Sequence, residues 1–349
     1  MTDALLAITV LWGFVFIYAV MATMDFGAGF WSMLYFNRTQ TKATNIANRY
    51  LSPTWEVTNT FIVALVVAVY SLFPSAAYTL GTVLLIPGSM ILLLLALRSA
   101  FLVFSNIASE YRKPLTYISG ITGILIPGLL ISVLPITHGN YIDFSDGRQT
   151  LDLIKLFTSA NEYAFIGFAI SSTLFLSSLL LADYSKTAEE YEAYAVYRRD
   201  AIILGPISLG MAVLIMFTIR TEAPWLYEKM MDNLAFLIAS VVFFVIGGLG
   251  LFLPSVTGGP KGMPRLTVIA ITIQYLLASL VYGQAHLPYI VYPEVTIQNA
   301  FTDPNSFRAI FATYIAGFAI LFPGFFYFWT LFMNDKRYLQ QKPPEETKS

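Results

Sequence analysis

The chain has no cysteine, which excludes disulfides, thiolate metal centres and thiol nucleophiles. Charge is scarce as well. Asp, Glu, Lys and Arg make up 12% of the 349 residues, against about 25% in an ordinary soluble domain. With so little polar surface the chain cannot dissolve as a globule. Histidine occurs twice, as His138 and His286. An intramembrane haem or metal centre needs His, Cys or Met ligands at compatible depths. Both histidines fall at the ends of apolar runs, where they read as interfacial polar residues, and the eleven methionines read as packing. A net charge of −1 with scattered basic residues gives no footprint for nucleic acid.

What is present is apolar sequence, 57% of the chain. A helix crosses the hydrocarbon core with about 20 apolar residues. On that measure the expectation is an all-α integral membrane protein of nine spans, near residues 5–33, 55–73, 79–104, 115–136, 161–182, 201–219, 233–253, 266–285 and 308–333. Pro74-Ser75 and the stretch from Pro254 to Pro264 read as turns. Pro87, Pro127, Pro206 and Pro323 fall inside spans, where neighbouring helices can satisfy the freed carbonyls. In the longest loop, Leu151, Ile154 and Phe157 suggest a short amphipathic segment at the interface.

Basic residues set the expected orientation. Fourteen of the twenty Lys and Arg residues fall on one side of this nine-span scheme and four on the other, with Arg98 and Arg308 in or at helices. Positive charge collects on the cytoplasmic side. The N-terminus is therefore expected outside and the C-terminus inside. The organisation is a single polytopic domain over residues 1–333 and a polar cytoplasmic tail over 334–349. Asp3 in place of a basic leader region, before an unusually long apolar run, argues against a cleavable signal.

Within that frame a few charges stand inside the membrane. Asp25 lies in "MATMDFGAGFW", Glu56 in "SPTWEVTN" and Arg98 in "LLALRSAF". On three consecutive spans of alternating direction, all three converge on the cytoplasmic third. Intramembrane ionisable residues are costly and commonly mark proton or ion routes, and a buried carboxyl exchanges protons nearer neutral pH than an exposed one. Asp25 and Glu56 are thus candidate proton-pathway groups, with Arg98 as candidate charge partner. The plainer readings stand beside these. Glu56 can complement a helix dipole, Arg98 can reach the headgroups, and Asp25 can fix helix packing. Gly27 and Gly29 are candidate helix-packing positions, since small residues admit a neighbouring backbone. "GGLG" at 247–250 and "TGGPKG" at 257–262 lack the strand and helix of a phosphate loop. No catalytic residue and no metal ligand is assigned in this chain.

Several of these stretches, in order along nearly the whole chain, resemble subunit II of cytochrome bd-type quinol oxidases. "YAVMATMDFGAGFW" is similar to the family's first helix, "LSPTWEVTN" to its P-x-W-[DE] motif, and "ALRSAF" to its arginine-bearing third helix. "LPYIVYP" with "TIQNAFTDPNSF" resembles the outer loop before its last helix. The resemblance implies a heterodimer with a haem-bearing subunit I, which a small single-span accessory subunit can join, in a bacterial cytoplasmic membrane. It implies that the b-type and d-type haems lie in subunit I, none axially ligated by this chain, and that the complex oxidises a quinol and reduces dioxygen to water. Asp25, Glu56 and Arg98 match the family's helix 1, 2 and 3 positions. The architecture expected is two four-helix bundles plus one peripheral helix.

The pattern is not followed throughout. Ala22 and Thr23 stand where many relatives carry a further acid. Trp55-Glu56-Val57-Thr58-Asn59 replaces W-D-G-N-Q, and Val103 stands where an acid often follows the arginine. Two other classes therefore stay in view at this point, a secondary transporter or ion-conducting protein and a purely structural assembly subunit.

Overall fold

Thr2 opens the first helix by accepting the Leu5 N–H with its hydroxyl (3.4 Å), and after Asp3 no proline and no charge other than Asp25 interrupts the run. The result is α1 (Asp3–Leu34), about 48 Å long at 1.5 Å per residue. The computed structural model describes residues 2–37, 42–105, 111–139, 141–144, 149–255 and 259–333. After α1 come α2 (Ala43–Leu72), α3 (Pro74–Val83), α4 (Leu85–Ser105), α5 (Arg112–Ile131) and α6 (Val133–His138). A two-stranded hairpin, β1 (Ile142–Asp143) with β2 (Thr150–Leu151), leads to α7 (Leu153–Thr158). The second half holds α8 (Ala160–Thr187), α9 (Tyr191–Glu222), α10 (Pro224–Met231), α11 (Leu234–Gly250) and α12 (Pro264–His286). A second hairpin, β3 (Tyr289–Val291) with β4 (Val295–Thr296), precedes α13 (Ile297–Ala300) and α14 (Pro304–Met333).

The breaks have local causes. Pro74, Pro224 and Pro264 each sit in a first helical turn, where the missing N–H is no loss. Pro135 cannot donate to the Ile131 carbonyl, which fits the interruption at Ser132 between α5 and α6. Asp152 caps α7, Ser159 caps α8, and Asp303 accepts the Asn305 and Ser306 amides at the start of α14. On α7, Ile154 is 80% and Phe157 62% exposed while Leu156 is buried, an amphipathic turn of the kind the loop sequence suggests.

Seven helical stretches among the described residues are long and apolar enough to cross a membrane: Asp3–Leu34, Leu85–Phe104, Lys113–His138, Ala160–Thr187, Tyr191–Glu222, Pro264–His286 and Pro304–Tyr327. An eighth is reached by joining α10 and α11, which meet at 78°. The protein is thus an all-α, multi-pass membrane protein. The expected spans differ from these helices at two further places. The expected second span is the far part of α2, whose apolar section Val57–Leu72 is short, because Arg49 and Glu56 occupy the near part. The expected third span is broken at Leu84, so only α4 is long enough by itself.

α1 is the central element, packed on α2, α5 and α8; α8 pairs with α9, α11 with α12, and α4 with α5. One core gathers the C-terminal end of α1, the start of α2 and the end of α8 around Trp31, Tyr35, Tyr184 and Tyr197. Another, at the opposite end, joins Phe14 of α1, Leu72 of α2, Tyr141 and Phe307 of α14. Asp25 lies between these two cores.

Candidate functional site

Around Asp25 the first helix is built from small residues, and its neighbours come close. α5 crosses so near that a Cβ on Gly123 would meet the Phe26 carbonyl. Against α8, a Cβ on Gly27 would overlap the Ser177 side chain, whose Oγ accepts the Trp31 indole N–H at 2.9 Å. A Cβ on Gly29 would stand 2.8 Å from Arg98 Nη1 and 2.9 Å from Ser119 Oγ. The absent side chain at Gly29 is the space the guanidinium uses.

Arg98 enters that space from α4. Its Nη2 donates to the Asp25 carbonyl (2.7 Å) and to Asp25 Oδ1 (3.0 Å). Its Nη1 donates to the Ser119 carbonyl (2.5 Å) and Ser119 Oγ (3.1 Å). The guanidinium carbon is 5.3 Å from the centre of the Phe26 ring. Asp25 and Arg98 are each only 2% exposed. Burying two charges costs several kcal/mol per ion, about matched only where geometry and extra hydrogen bonds are good. Here one guanidinium joins three helices with four hydrogen bonds, and only Nε has no partner. The charge partner therefore lies buried beside Asp25 and does not reach toward headgroups.

The sequence groups Asp25, Glu56 and Arg98. The structure brings Asp25 and Arg98 together; the Glu56 side chain lies outside the described residues. Three residues further along α2, Asn59 Nδ2 reaches Ser99 Oγ on α4 at 3.5 Å. An apolar cavity of about 480 Å³ lies between α1, α2, α12 and α14, with Met24 and Val57 in its lining. It thus runs past the immediate neighbours of Asp25 and Glu56.

Two polar clusters escaped the sequence reading. At the C-terminal end of α1, Tyr35 donates a short hydrogen bond to Asp200 Oδ2. Arg199 Nη2 donates to Tyr35 Oη (3.1 Å) and Asp200 Oδ1 (2.8 Å). At the other end the histidines, each at a helix end, are buried, because α6 and the end of α12 are packed behind α8 and α10. His138 Nε2 accepts from Asn161 Nδ2 (2.8 Å), so its Nδ1–H donates to Tyr282 Oη (2.8 Å). Thr218 closes the set by donating to Asn161 Oδ1 at 3.0 Å. His286 Nδ1 donates to the Tyr289 carbonyl (2.8 Å). Beside them, Glu222 accepts from Tyr141 Oη (2.5 Å), Ser159 Oγ (2.7 Å) and the Asn161 N–H (3.1 Å). Burial, and then this bond to Glu222, pushes the Tyr141 hydroxyl up from its ordinary pKa, so it stays a donor at physiological pH. Among the described residues no three His, Asp or Glu side chains converge as a metal-binding set.

Known proteins match this architecture along its length. The family model for cytochrome bd terminal oxidase subunit II matches residues 4–332. A Bacillus subtilis (strain 168) protein named as a putative cytochrome bd menaquinol oxidase subunit II is 65% identical over 342 residues, covering 98% of this chain and 99% of its own. A chain in the structure of bd oxidase from Geobacillus thermodenitrificans superposes with a TM-score of 0.82 at 33% identity, covering 96% of this chain and 100% of that one. The order of motifs, the buried carboxylate–arginine pair between α1 and α4 and these matches lead to one conclusion: the chain belongs to the cytochrome bd terminal oxidase subunit II family, and so is a subunit of a quinol oxidase, an oxidoreductase complex of the membrane.

Proposed function

We propose that this chain is the non-haem subunit of a bd-type quinol:oxygen oxidoreductase of the bacterial cytoplasmic membrane, paired with a haem-bearing subunit I. The name of the 65% identical relative suggests menaquinol as the reductant of the complex. The b-type and d-type haems, held in subunit I, supply electron transfer and oxygen reduction. No histidine of this chain is assigned to them: His138 has both ring nitrogens in hydrogen bonds, and His286 is packed behind the Trp225 and Tyr282 rings. A small single-span accessory subunit and bound membrane lipid complete the proposed assembly.

Nine crossings are proposed, with the far part of α2 and the α10–α11 pair as two of them. α1, α2, α4 and α5 form one four-helix group, α8, α9, α11 and α12 a second, and α14 stands outside both. The packing partners of each helix support that division. The Lys and Arg distribution supports an outer N-terminus and a cytoplasmic C-terminus. A reporter fused after Ser349 is expected to be active only in its cytoplasmic form; activity of a periplasm-dependent reporter there would reverse the topology.

This chain's own contribution is proposed to be a cytoplasmic proton-uptake route through Asp25 and Glu56. The observation that carries it is the buried Asp25–Arg98 pair, a charged group in the interior that apolar helix packing does not require. Asp25 and Arg98 set the local field, and Glu56 takes up the proton. Asp25→Asn and Glu56→Gln, each in the assembled complex, are expected to slow quinol oxidase turnover by ten-fold or more with haem content unchanged, in line with the size of effect of losing one proton-transfer group (roughly 10²-fold). Full turnover in both variants would reject the route.

A second reading is favoured by the saturation of Arg98. Four hydrogen bonds to α1 and α5 are what a structural clamp needs, and in that reading Gly27 and Gly29 serve only to let the helices meet.

A further inference from the structure

Another buried carboxyl lies far from Asp25. Glu162 is in the opening turn of α8 and is 3% exposed. Ser177, further along the same helix, marks the level of Asp25 and Gly27; a rise of about 1.5 Å per residue puts Glu162 about 22 Å from that level. Its surroundings differ in kind from those of Asp25. Among the described residues no Lys, Arg or His nitrogen comes within ion-pairing distance of it. Oε1 meets the Ser132 hydroxyl in a short hydrogen bond, and Oε2 has no hydrogen-bond partner.

The decisive detail is the second bond of Ser132. Its Oγ also lies 3.1 Å from the Gly128 carbonyl, while the Ser132 N–H is turned to Leu130 at the α5–α6 break. A serine hydroxyl has one proton to give. If Glu162 is ionised, that proton goes to Oε1, this bond to Gly128 is lost, and Oε2 carries negative charge with no donor. If Glu162 is neutral, its O–H donates to Ser132 Oγ and Ser132 donates to the Gly128 carbonyl. Both protons then have acceptors, and only a neutral carbonyl oxygen is left unpaired. An unpaired buried charge costs far more than an unpaired neutral polar atom.

The other titratable groups around this end are committed elsewhere. His138 is tied to Asn161 and Tyr282. Glu222 is taken by Tyr141, Ser159 and the Asn161 N–H. His286 holds the Tyr289 carbonyl, Lys229 the Leu287 carbonyl, and Asp3 pairs with Arg308. Arg220 is exposed and lies over the Tyr227 ring.

We propose that Glu162 and Ser132 form a proton-binding site, in which Glu162 resides as the neutral acid and relays its hydrogen bond through Ser132 to the Gly128 carbonyl. Asp25 and Glu162 are then buried carboxyls of opposite character. Asp25 is locked to an arginine, whereas Glu162 can release and regain a proton without breaking an ion pair.

Infrared spectra of the purified two-subunit oxidase test this. Glu162→Gln keeps the shape of the neutral acid and an acceptor for Ser132, so assembly, read as haem content, is expected to be unchanged. Its spectrum is expected to lose one protonated-carboxyl C=O band that shifts on transfer to D2O. Ser132→Ala is expected to keep that band and move it to higher frequency, since the acid loses its acceptor. If wild type and Glu162→Gln absorb equally in the protonated-carboxyl region and the variant loses a carboxylate band instead, Glu162 is ionised and the proposal fails. Turnover is no part of this measurement, so its outcome is independent of the Asp25 and Glu56 route.

Discussion

Arg98→Met is expected to be among the most damaging single substitutions in the chain, while the double variant Asp25→Asn/Arg98→Met recovers much of the loss. The single change leaves a buried carboxylate without its cation and Ser119 without its donor. Breaking a buried pair from one side costs about 3–5 kcal/mol, whereas neutral replacement of both partners is often tolerated. That cost is a large share of the stability of an ordinary domain, about 5–15 kcal/mol. Assembled oxidase per unit of membrane, read from haem absorbance, is expected to fall to a small residue in Arg98→Met. In the double variant it is expected to return to a large fraction of wild type. The same pair of strains separates the two readings of Asp25. If the recovered double variant turns over at the wild-type rate per haem, the pair is a clamp and nothing more. If it assembles but turns over slowly, the charge at Asp25 acts in proton uptake. Equal assembly in wild type and Arg98→Met would contradict the clamp itself.

The partnership of Asp25 and Arg98 was legible in the sequence because two long-range signals agree on it: the run of apolar residues places each on a span, and the Lys and Arg distribution gives the spans alternating direction. Ser119 was not legible. A serine on an apolar helix is ordinary, and only the neighbouring Gly120 and Gly123 hint that α5 passes close to another backbone. The burial of His138 was not legible for a related reason. Its partners Asn161 and Tyr282, and Thr218 behind Asn161, come from three helices far apart in sequence, and no local spacing announces them. Span boundaries were least legible where local chemistry is mixed. α2 carries Arg49 and Glu56 ahead of its apolar section, and the helix expected at 79–104 breaks at Leu84. The hairpin β3–β4 is too short for an alternating pattern to be seen. Family membership was readable because it rests on the order of several motifs, none of which has to be decisive alone.

Gly123→Ala is expected to cause the second large loss, and by a different mechanism. Most glycines in helices tolerate alanine, which favours the helix by about 1 kcal/mol. At Gly123 the new Cβ would meet the backbone carbonyl of Phe26, and a backbone atom cannot rotate aside as a side chain can. α1 and α5 must separate. Overpacking of this kind costs about 1–3 kcal/mol and sometimes more. Here the separation also acts on the neighbouring charge cluster, since Arg98 bridges the same two helices from Asp25 to Ser119. A shift of half an ångström in each direction would lengthen several of its four hydrogen bonds together, at about 1.5–3 kcal/mol for each charged bond lost. Gly128→Ala is the matched control on the same helix, because its Cβ would meet Ile166 Cγ2 at 3.5 Å and Ile170 Cδ1 at 4.0 Å, both ordinary contacts. The thermal midpoint of the purified complex, followed by haem absorbance, is expected to drop by several degrees or the complex to go missing in Gly123→Ala. In Gly128→Ala it is expected to stay near wild type. Similar midpoints for both variants would mean that α1 and α5 do not meet at Gly123 as closely as the structure has them, and the tight seating of Arg98 between them would fall with that contact.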